Sequence, residues 1–158
     1  MALTGNPITY RRTKVRYGVD KMRTRIHQHI EGHTGLRPDL DVEALEKMEL
    51  LQKLHGFGAF AAGLDNKMIG YALFILANSL ISKHLLEATE VGFFIDPDYR
   101  DRGVAHHMMG YVHGQLKMLG AGHVLHACPP GEADGWGEFI KRTGGKEIER
   151  RYLLPLGD

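Results

Sequence analysis

Apolar residues recur every three to four positions in three segments of the chain, which is the pattern of amphipathic helices. The first segment carries Val19, Met22, Ile26 and Ile30 and ends near Gly32 or Gly35. The second follows Asp41, a plausible N-cap, and its apolar positions are Ala44, Leu45, Met48, Leu51 and Leu54, closed by Gly56 and Gly58. The third carries Ala105, Met108, Met109, Val112, Leu116 and Leu119.

Shorter segments rich in aromatic and β-branched residues lie between these helices and predict strands. They cover residues 8–15, 57–64, 68–77, 91–95 and 123–127, and residues 146–154 predict one or two more. Asp65, Asn66 and Lys67 form a tight turn that joins the second and third strands as a hairpin. Residues 78–86 are either a loop or a continuation of the sheet, and residues 136–142 predict a short fourth helix.

Residues 87–109 combine a strand, a short turn, a glycine and a helix. The first N–H groups of a helix have no intrahelical partners, and with the helix dipole they attract anions. Gly103 and Ala105 lack bulk, so that a phosphate could approach the backbone, and Arg100 and Arg102 add positive charge. An ordinary helix start is the alternative interpretation of the same residues.

The run Arg100-x-x-Gly103-x-Ala105 resembles the Arg/Gln-x-x-Gly-x-Gly/Ala motif of the GNAT superfamily of N-acetyltransferases, and residues 93–100 resemble the end of that family's fourth strand. The predicted element order, β, α, α, β, β, β, α, β, α, β, agrees with this resemblance over nearly the whole chain. It implies an α/β fold in a single domain over residues 1–158. In that fold a mixed, mostly antiparallel sheet of six to seven strands has about four helices on its two faces.

The resemblance also implies acetyl-coenzyme A as cosubstrate. Its pyrophosphate would lie against the loop formed by Arg100, Asp101, Arg102, Gly103, Val104 and Ala105. Backbone groups of the fourth strand, at Phe93, Phe94 and Ile95, would hold the pantetheine arm and face the thioester carbonyl.

Two acidic residues are candidates for the catalytic base that the resemblance implies. Glu90 fits the Glu-Ile/Val-Gly-aromatic pattern of several relatives and is the first choice, with Glu87 the second. Either could instead be a strand-end carboxylate paired with a basic neighbour. Many relatives carry a Tyr that acts as general acid, four residues before a Gly-Phe pair at the end of the fourth helix. Here Ile140 stands at the Tyr position and Gly145 at the Phe position, so no general acid carries over.

Composition adds few constraints. The chain has 158 residues, a formal net charge of +1 and a single cysteine, Cys128, with no apolar run long enough to span a bilayer, so a cytoplasmic protein with no membrane association is expected. The ten histidines lack a metal-binding motif, and no metal is predicted. Residues 11–25 hold seven basic residues and one acidic residue, which indicates either a nucleic-acid contact, not favoured, or a solvated surface.

These observations favour an acetyl-coenzyme A-dependent N-acetyltransferase in which a primary amine attacks the thioester directly in a ternary complex. The acceptor is a small-molecule or protein amine that the sequence does not identify. Two alternatives stay open: a catalytically degenerate module that binds acyl-coenzyme A, and an RNA-associated acetyltransferase acting on aminoacyl-tRNA. A homodimer is compatible with the resemblance.

Overall fold

A mixed sheet forms the centre of the protein, with its strands in the order β1-β2-β3-β4-β5. The structure is a computed structural model that describes residues 7–54, 58–79, 82–128 and 135–148. The strands are β1 (Thr9–Arg12), β2 (Gly58–Leu64), β3 (Lys67–Ser79), β4 (Ser82–Ile95) and β5 (His123–Leu125). Neighbouring strands are antiparallel from β1 to β4, whereas β4 and β5 are parallel.

Helices cover both faces of this sheet. They are α1 (Val15–Thr34), α2 (Val42–Leu54), α3 (Val104–Met118) and α4 (Trp136–Arg142). On the α1 face, Val19, Ile26 and Leu45 pack against Tyr71 and Phe94 of the sheet. On the α3 face, the buried residues are Phe60, Ala72, Phe74, Ala88, Ile95, Met108, Met109, Val112, Leu116 and Trp136. The predicted α/β architecture with helices on both faces is confirmed.

Local sequence signals explain where several elements begin and end. Asp41 caps α2, because its Oδ1 accepts a hydrogen bond of 2.8 Å from the backbone N–H of Ala44. Asp65 and Asn66 have positive φ angles of 49° and 62°, which is the geometry of a two-residue hairpin turn whose twist matches the strands.

A β-bulge interrupts β4 near its middle. Phe74 pairs with Glu90 and Leu73 pairs with Gly92, so Val91 is the extra residue. The insertion reverses the alternation of side chains along the strand, and therefore Ala88 before the bulge and Phe93 and Ile95 after it all pack on the α3 face. The apolar character of residues 91–95 indicates a buried strand, but Val91, as the bulged residue, is 53% exposed, so this expectation was wrong at Val91.

Several predicted boundaries also need correction. The described residues contain five strands rather than six or seven, because residues 146–148 are not a strand, and residues 149–154 lie outside the described part of the chain. Val15 is the first residue of α1, not the last residue of β1. Of residues 78–86, for which a loop and a strand were both open, residues 78–79 belong to β3 and residues 82–86 to β4. Leu51 of the predicted α2 stripe is 42% exposed. Gly56, Phe57 and residues 129–131 lie outside the described residues.

None of the described helices is long and apolar enough to cross a membrane.

Candidate active site

The loop after β4 brings the predicted anion-binding residues together at the start of α3. A 3₁₀ helix (Pro97–Arg102) follows Asp96, which caps it: the Asp96 side chain accepts a hydrogen bond of 3.2 Å from the N–H of Asp98. Asp101 leaves the helical range, with φ −82° and ψ 18°, and Gly103 then takes the left-handed conformation at φ 73°. This sequence of angles turns the chain sharply into α3.

The two arginines of this loop are placed differently. Arg100 Nε donates a hydrogen bond of 2.9 Å to the carbonyl oxygen of Ile95, and its guanidinium carbon lies 5.6 Å from the centre of the Phe94 ring. Arg102 lies 5.3 Å from the centre of the Tyr99 ring. Arg100 therefore fastens the loop to the end of β4, and both side chains keep positive charge beside the helix start.

The loop fits a diphosphate such as that of coenzyme A. The Val104 side chain is buried in the core, whereas Gly103 is exposed, so the loop presents backbone rather than side chains at the N-terminus of a helix of 15 residues. Gly103 is required here for its positive φ angle and not for want of space. A Cβ at this position would come no closer than 3.7 Å to another atom.

The edge of β4 beside β5 is open over its second half. The two strands pair only at Glu87 with His123, Ala88 with Val124, and Thr89 with Leu125. Among the described residues, positions 90–95 of β4 have no strand partner on this side. Of the three residues that the sequence predicts to hold an extended ligand such as a pantetheine arm, Phe93 and Ile95 turn backbone N–H groups to this open edge, whereas the backbone groups of Phe94 point toward Tyr71 of β3.

The side chains of those three residues point in different directions. Phe93 stacks on Trp136 with ring centres 4.5 Å apart, and Trp136 stacks in turn on Phe139 at 5.2 Å. Phe94 lies on the other face against Tyr71, and Ile95 is buried. The aromatic stack places α4 over the α3 face of β4, so it bounds one side of the open edge.

Glu90 lies at the start of this open edge, deep within the protein. Its Oε2 is 2.6 Å from Nδ1 of His126, and only 4% of the Glu90 side chain and 8% of the His126 side chain are exposed. Nε2 of His126 lies 3.0 Å from Nε2 of His113 on α3, a half-buried residue. We call these three residues the Glu90–His126–His113 chain.

Burial dominates the electrostatics of this chain. It raises the pKa of Glu90, although the hydrogen bond and charge of His126 lower it in part. Burial, and then the charge of His126, lowers the pKa of His113. The pKa of Tyr71 is raised, first by burial and then by the charge of Glu90. Glu90 is therefore an acid whose ionisation lies closer to neutral pH than that of an exposed carboxylate.

The second predicted carboxylate forms a separate pair. Glu87 Oε2 is 2.6 Å from Nε2 of His123, but 25% of the Glu87 side chain and 39% of the His123 side chain are exposed. Because side chains alternate along a strand, Glu87 points to the opposite face of β4 from Ala88 and Glu90. The structure does not bring the two carboxylates together.

Reasoning from sequence missed His126, which contacts Glu90, and His113, which contacts His126. One signal could have found His126: the spacing of Glu87 and Glu90 equals that of His123 and His126, and on adjacent parallel strands equal spacing aligns both pairs. No comparable signal marks His113, which the packing of α3 supplies. Within the described ranges, no three His, Cys, Asp or Glu side chains are placed to hold a metal ion.

Comparison with known proteins agrees with this geometry. Residues 24–133 match the sequence profile of the Acetyltransferase (GNAT) family, whereas no curated protein matches the sequence. A ribosomal-protein-alanine N-acetyltransferase from Brucella melitensis biovar Abortus 2308 has a similar structure, with a TM-score of 0.76 and 14% identity over 97% of this chain and 100% of that one.

Two similar structures carry small molecules. An aminoglycoside acetyltransferase, meta-AAC0020, from an uncultured soil metagenomic sample was solved with sisomicin, and it has a TM-score of 0.73 and 15% identity over 95% of this chain and 97% of that one. AAC(6')-Iy, solved with a coenzyme A bisubstrate analogue, has a TM-score of 0.67 and 19% identity over 97% of this chain and all of that one. At these identities the likeness shows a shared fold. With the family profile covering residues 24–133, this chain belongs to the Acetyltransferase (GNAT) family.

Proposed function

We propose that this protein is an acetyl-coenzyme A-dependent N-acetyltransferase that acetylates a primary amine by direct attack in a ternary complex. One observation carries the proposal: left-handed Gly103 starts α3 beside the open edge of β4. A helix N-terminus that can receive a diphosphate thus stands at the end of a strand edge that can receive an extended arm.

In the proposed reaction the bound thioester supplies an activated acetyl group. One backbone N–H group on the open edge, that of Phe93 or Ile95, donates a hydrogen bond to its carbonyl oxygen, and this stabilises the negative charge of the tetrahedral intermediate. The arginine-bearing loop and β4 hold the thioester so that the amine meets it at close range. The thiolate leaves without a protein acid, because a thiol pKa near 8.5 makes it an adequate leaving group, and the second proton of the amine nitrogen passes to the thiolate or to water.

We propose Glu90, ahead of Glu87, as the base that takes the proton from the ammonium form of the acceptor. An unperturbed primary amine of the lysine type has a pKa of about 10.4 and must lose a proton before it can attack. Only 4% of the Glu90 side chain is exposed, so the proton reaches it through a bridging water. The raised pKa of Glu90 makes its ionised form a stronger base than an ordinary carboxylate.

The acceptor belongs to the class of primary amines, on a small molecule or a protein. The similar structures include enzymes named for ribosomal-protein alanine and for aminoglycosides, which are amines of both kinds. Residues 24–41, at the end of α1 and the start of the following loop, are the proposed selectors among such acceptors.

Titration calorimetry with acetyl-coenzyme A and coenzyme A tests the cofactor assignment. Wild type is expected to bind both with a dissociation constant of micromolar order or tighter, and Gly103→Val is expected to lose binding because valine cannot adopt the required φ angle. Gly110→Val is the matched control, since it lies in the same helix and a Cβ there meets nothing within 4 Å. Normal binding by Gly103→Val would refute the loop assignment.

An acceptor screen tests the reaction itself. Release of coenzyme A thiol is followed with spermidine, kanamycin, a peptide beginning with alanine, a lysine peptide and alanyl-tRNA. Turnover with at least one amine, and an acetylated product of the expected mass, is the expected result. Tight binding with no turnover over the whole panel would overturn the transferase proposal in favour of an acyl-coenzyme A-binding module.

A further inference from the structure

With Glu90 ionised and His126 neutral, the contacts of the Glu90–His126–His113 chain fix where the protons of its two histidines lie. An ionised carboxylate only accepts hydrogen bonds, so the 2.6 Å contact with Glu90 requires a proton on Nδ1 of His126. Nε2 of a neutral His126 is then an acceptor, and the 3.0 Å contact with His113 requires a proton on Nε2 of His113. Each contact is complete in one tautomer of each ring.

We propose that His126 and His113 are positioning residues that set the ionisation and orientation of Glu90. His126 donates its Nδ1–H to the Glu90 carboxylate, and His113 holds His126 in the tautomer that makes this donation. The inference rests on the proposed function, in which Glu90 is the base, but it goes beyond it by assigning roles to residues of α3 and of the segment after β5.

Because Glu90 is buried, the hydrogen bond that His126 donates to it has a large effect on its ionisation. An ionised carboxylate that is 4% exposed is costly unless hydrogen bonds replace the lost water. His126 supplies such a bond, and it lowers the pKa of Glu90 against the larger, raising effect of burial. Without this donor, Glu90 would hold its proton to a higher pH.

The surroundings of His126 hold its ring in place. Its centre lies 6.0 Å from the ring of Phe74 and 6.0 Å from the ring of Trp136, both at nearly perpendicular angles. Packing between β3 and α4 therefore limits ring rotation, and the hydrogen bond to His113 selects the tautomer.

Among the residues that the structure describes, few titratable groups surround this site. Tyr71 of β3 is the group that senses the charge of Glu90 across the sheet, and its raised pKa keeps it neutral at working pH. His113 faces the site from α3, His126 from the segment after β5, and the uncharged Trp136 from α4. A change in the ionisation of Glu90 can therefore be traced to the two histidines.

The kinetic test is the pH profile of kcat/KM with the amine from the acceptor screen that is turned over fastest. His126→Leu removes the donor, and we expect the ascending limb, which reports ionisation of the base, to move up by about one pH unit or more. His126→Asn places an amide N–H near the position of Nδ1, and its limb should return toward that of wild type. His113→Gln, which offers an N–H near Nε2, should likewise resemble wild type, whereas His113→Leu should shift the limb.

A matched control comes from the other acid–histidine pair. His123→Asn alters a contact of the same 2.6 Å length between β4 and β5, and we expect the ascending limb of this variant to coincide with that of wild type. A purely structural role for His126 would instead lower kcat at every pH without moving the limb, and that result would overturn the proposal.

Nuclear magnetic resonance gives a readout that needs no turnover. In wild type at pH 8, ¹⁵N shifts should show His126 protonated at Nδ1 and His113 protonated at Nε2. The ¹³C titration midpoint of the Glu90 carboxyl should rise in His126→Leu and return toward that of wild type in His126→Asn. A proton on Nε2 of His126, or an unmoved midpoint, would refute the assignment. If no amine is acetylated, the proposed function fails, while these spectra still decide whether the histidines control Glu90.

Discussion

Glu90 combines a charge with almost complete removal from water. Taking an ionised carboxylate into the interior costs free energy. Such groups are found where a partner forms a hydrogen bond with them or where catalysis needs a shifted pKa. His126 is that partner, at 2.6 Å. Replacing His126 alone should therefore lower the free energy of unfolding more than replacing Glu90, because it leaves a buried acid without its hydrogen-bonding partner.

At this scale the clearest prediction concerns the base. Glu90→Gln keeps the size and hydrogen-bonding capacity of the side chain but cannot accept the proton, so kcat for the best amine should fall by about 10² to 10⁴. Affinity for acetyl-coenzyme A, measured by calorimetry, should change little. Glu87→Gln is the comparison, since that acid is paired on the opposite face with His123. Full activity of Glu90→Gln would remove it from the mechanism, and a larger loss in Glu87→Gln would transfer the role to Glu87.

Among the elements, β4 does most to create the site, and its decisive feature is the bulge at Val91. The bulge places Glu90 and Phe93 on one face although their separation in sequence is odd. Alternation of polar and apolar residues cannot reveal such an insertion, because it depends on pairing with β3. The sequence therefore locates the strand and its acid but not the direction in which the acid points.

Other elements were predictable because local chemistry decides them. Helix α4 has the predicted bounds, Trp136–Arg142, since Gly135 and Gly144 take left-handed φ angles of 69° and 98° at its two ends. Gly103 and the start of α3 were also identified, because a turn that needs a positive φ angle has a recognisable composition. The contact between His126 and His113 lay beyond such reasoning, since tertiary packing brings together residues from two elements.

Helix α2 offers a test of this local control. Asp41→Ala removes the cap that bonds the N–H of Ala44, and it should lower the free energy of unfolding by about 1 kcal/mol. Urea unfolding followed by circular dichroism measures the change, with Asp39→Ala, an exposed acid two residues earlier, as control. Equal stabilities of the two variants would show that the capping bond does not stabilise α2.

For the molecule as a whole, the sheet separates two apolar layers that different helices cover. Helices α1 and α2 cover one, and α3 and α4 cover the other. The proposed base and its histidines lie in the α3 layer, together with the loop that starts α3. The proposed acceptor-selecting residues 24–41 belong instead to the side that α1 covers, where Ile26 and Leu40 are buried.

The buried acid should also leave a mark on overall stability. Burial raises the pKa of Glu90 above its ordinary value of 4.5, so between 4.5 and the raised pKa the folded protein binds more protons than the unfolded chain. The contribution of Glu90 to the free energy of unfolding must therefore fall as pH rises through this window. Denaturant unfolding from pH 4.5 to 8 should show Glu90→Gln gaining stability relative to wild type as pH increases. A constant difference between the two proteins would contradict the raised pKa.

The shortness of the outer strands affects how this protein meets other copies of itself. The long strand β3, of 13 residues, lies inside the sheet, whereas β1, one edge of the described sheet, has only four residues and carries Arg11 and Arg12. Short, positively charged edges discourage the pairing of strands between chains. Detachment of β1 would expose β2, whose sequence GAFAAGL has no charge, to such pairing. The four residues of β1, Thr9–Arg12, thus disfavour aggregation through the pairing of strands between copies of the protein.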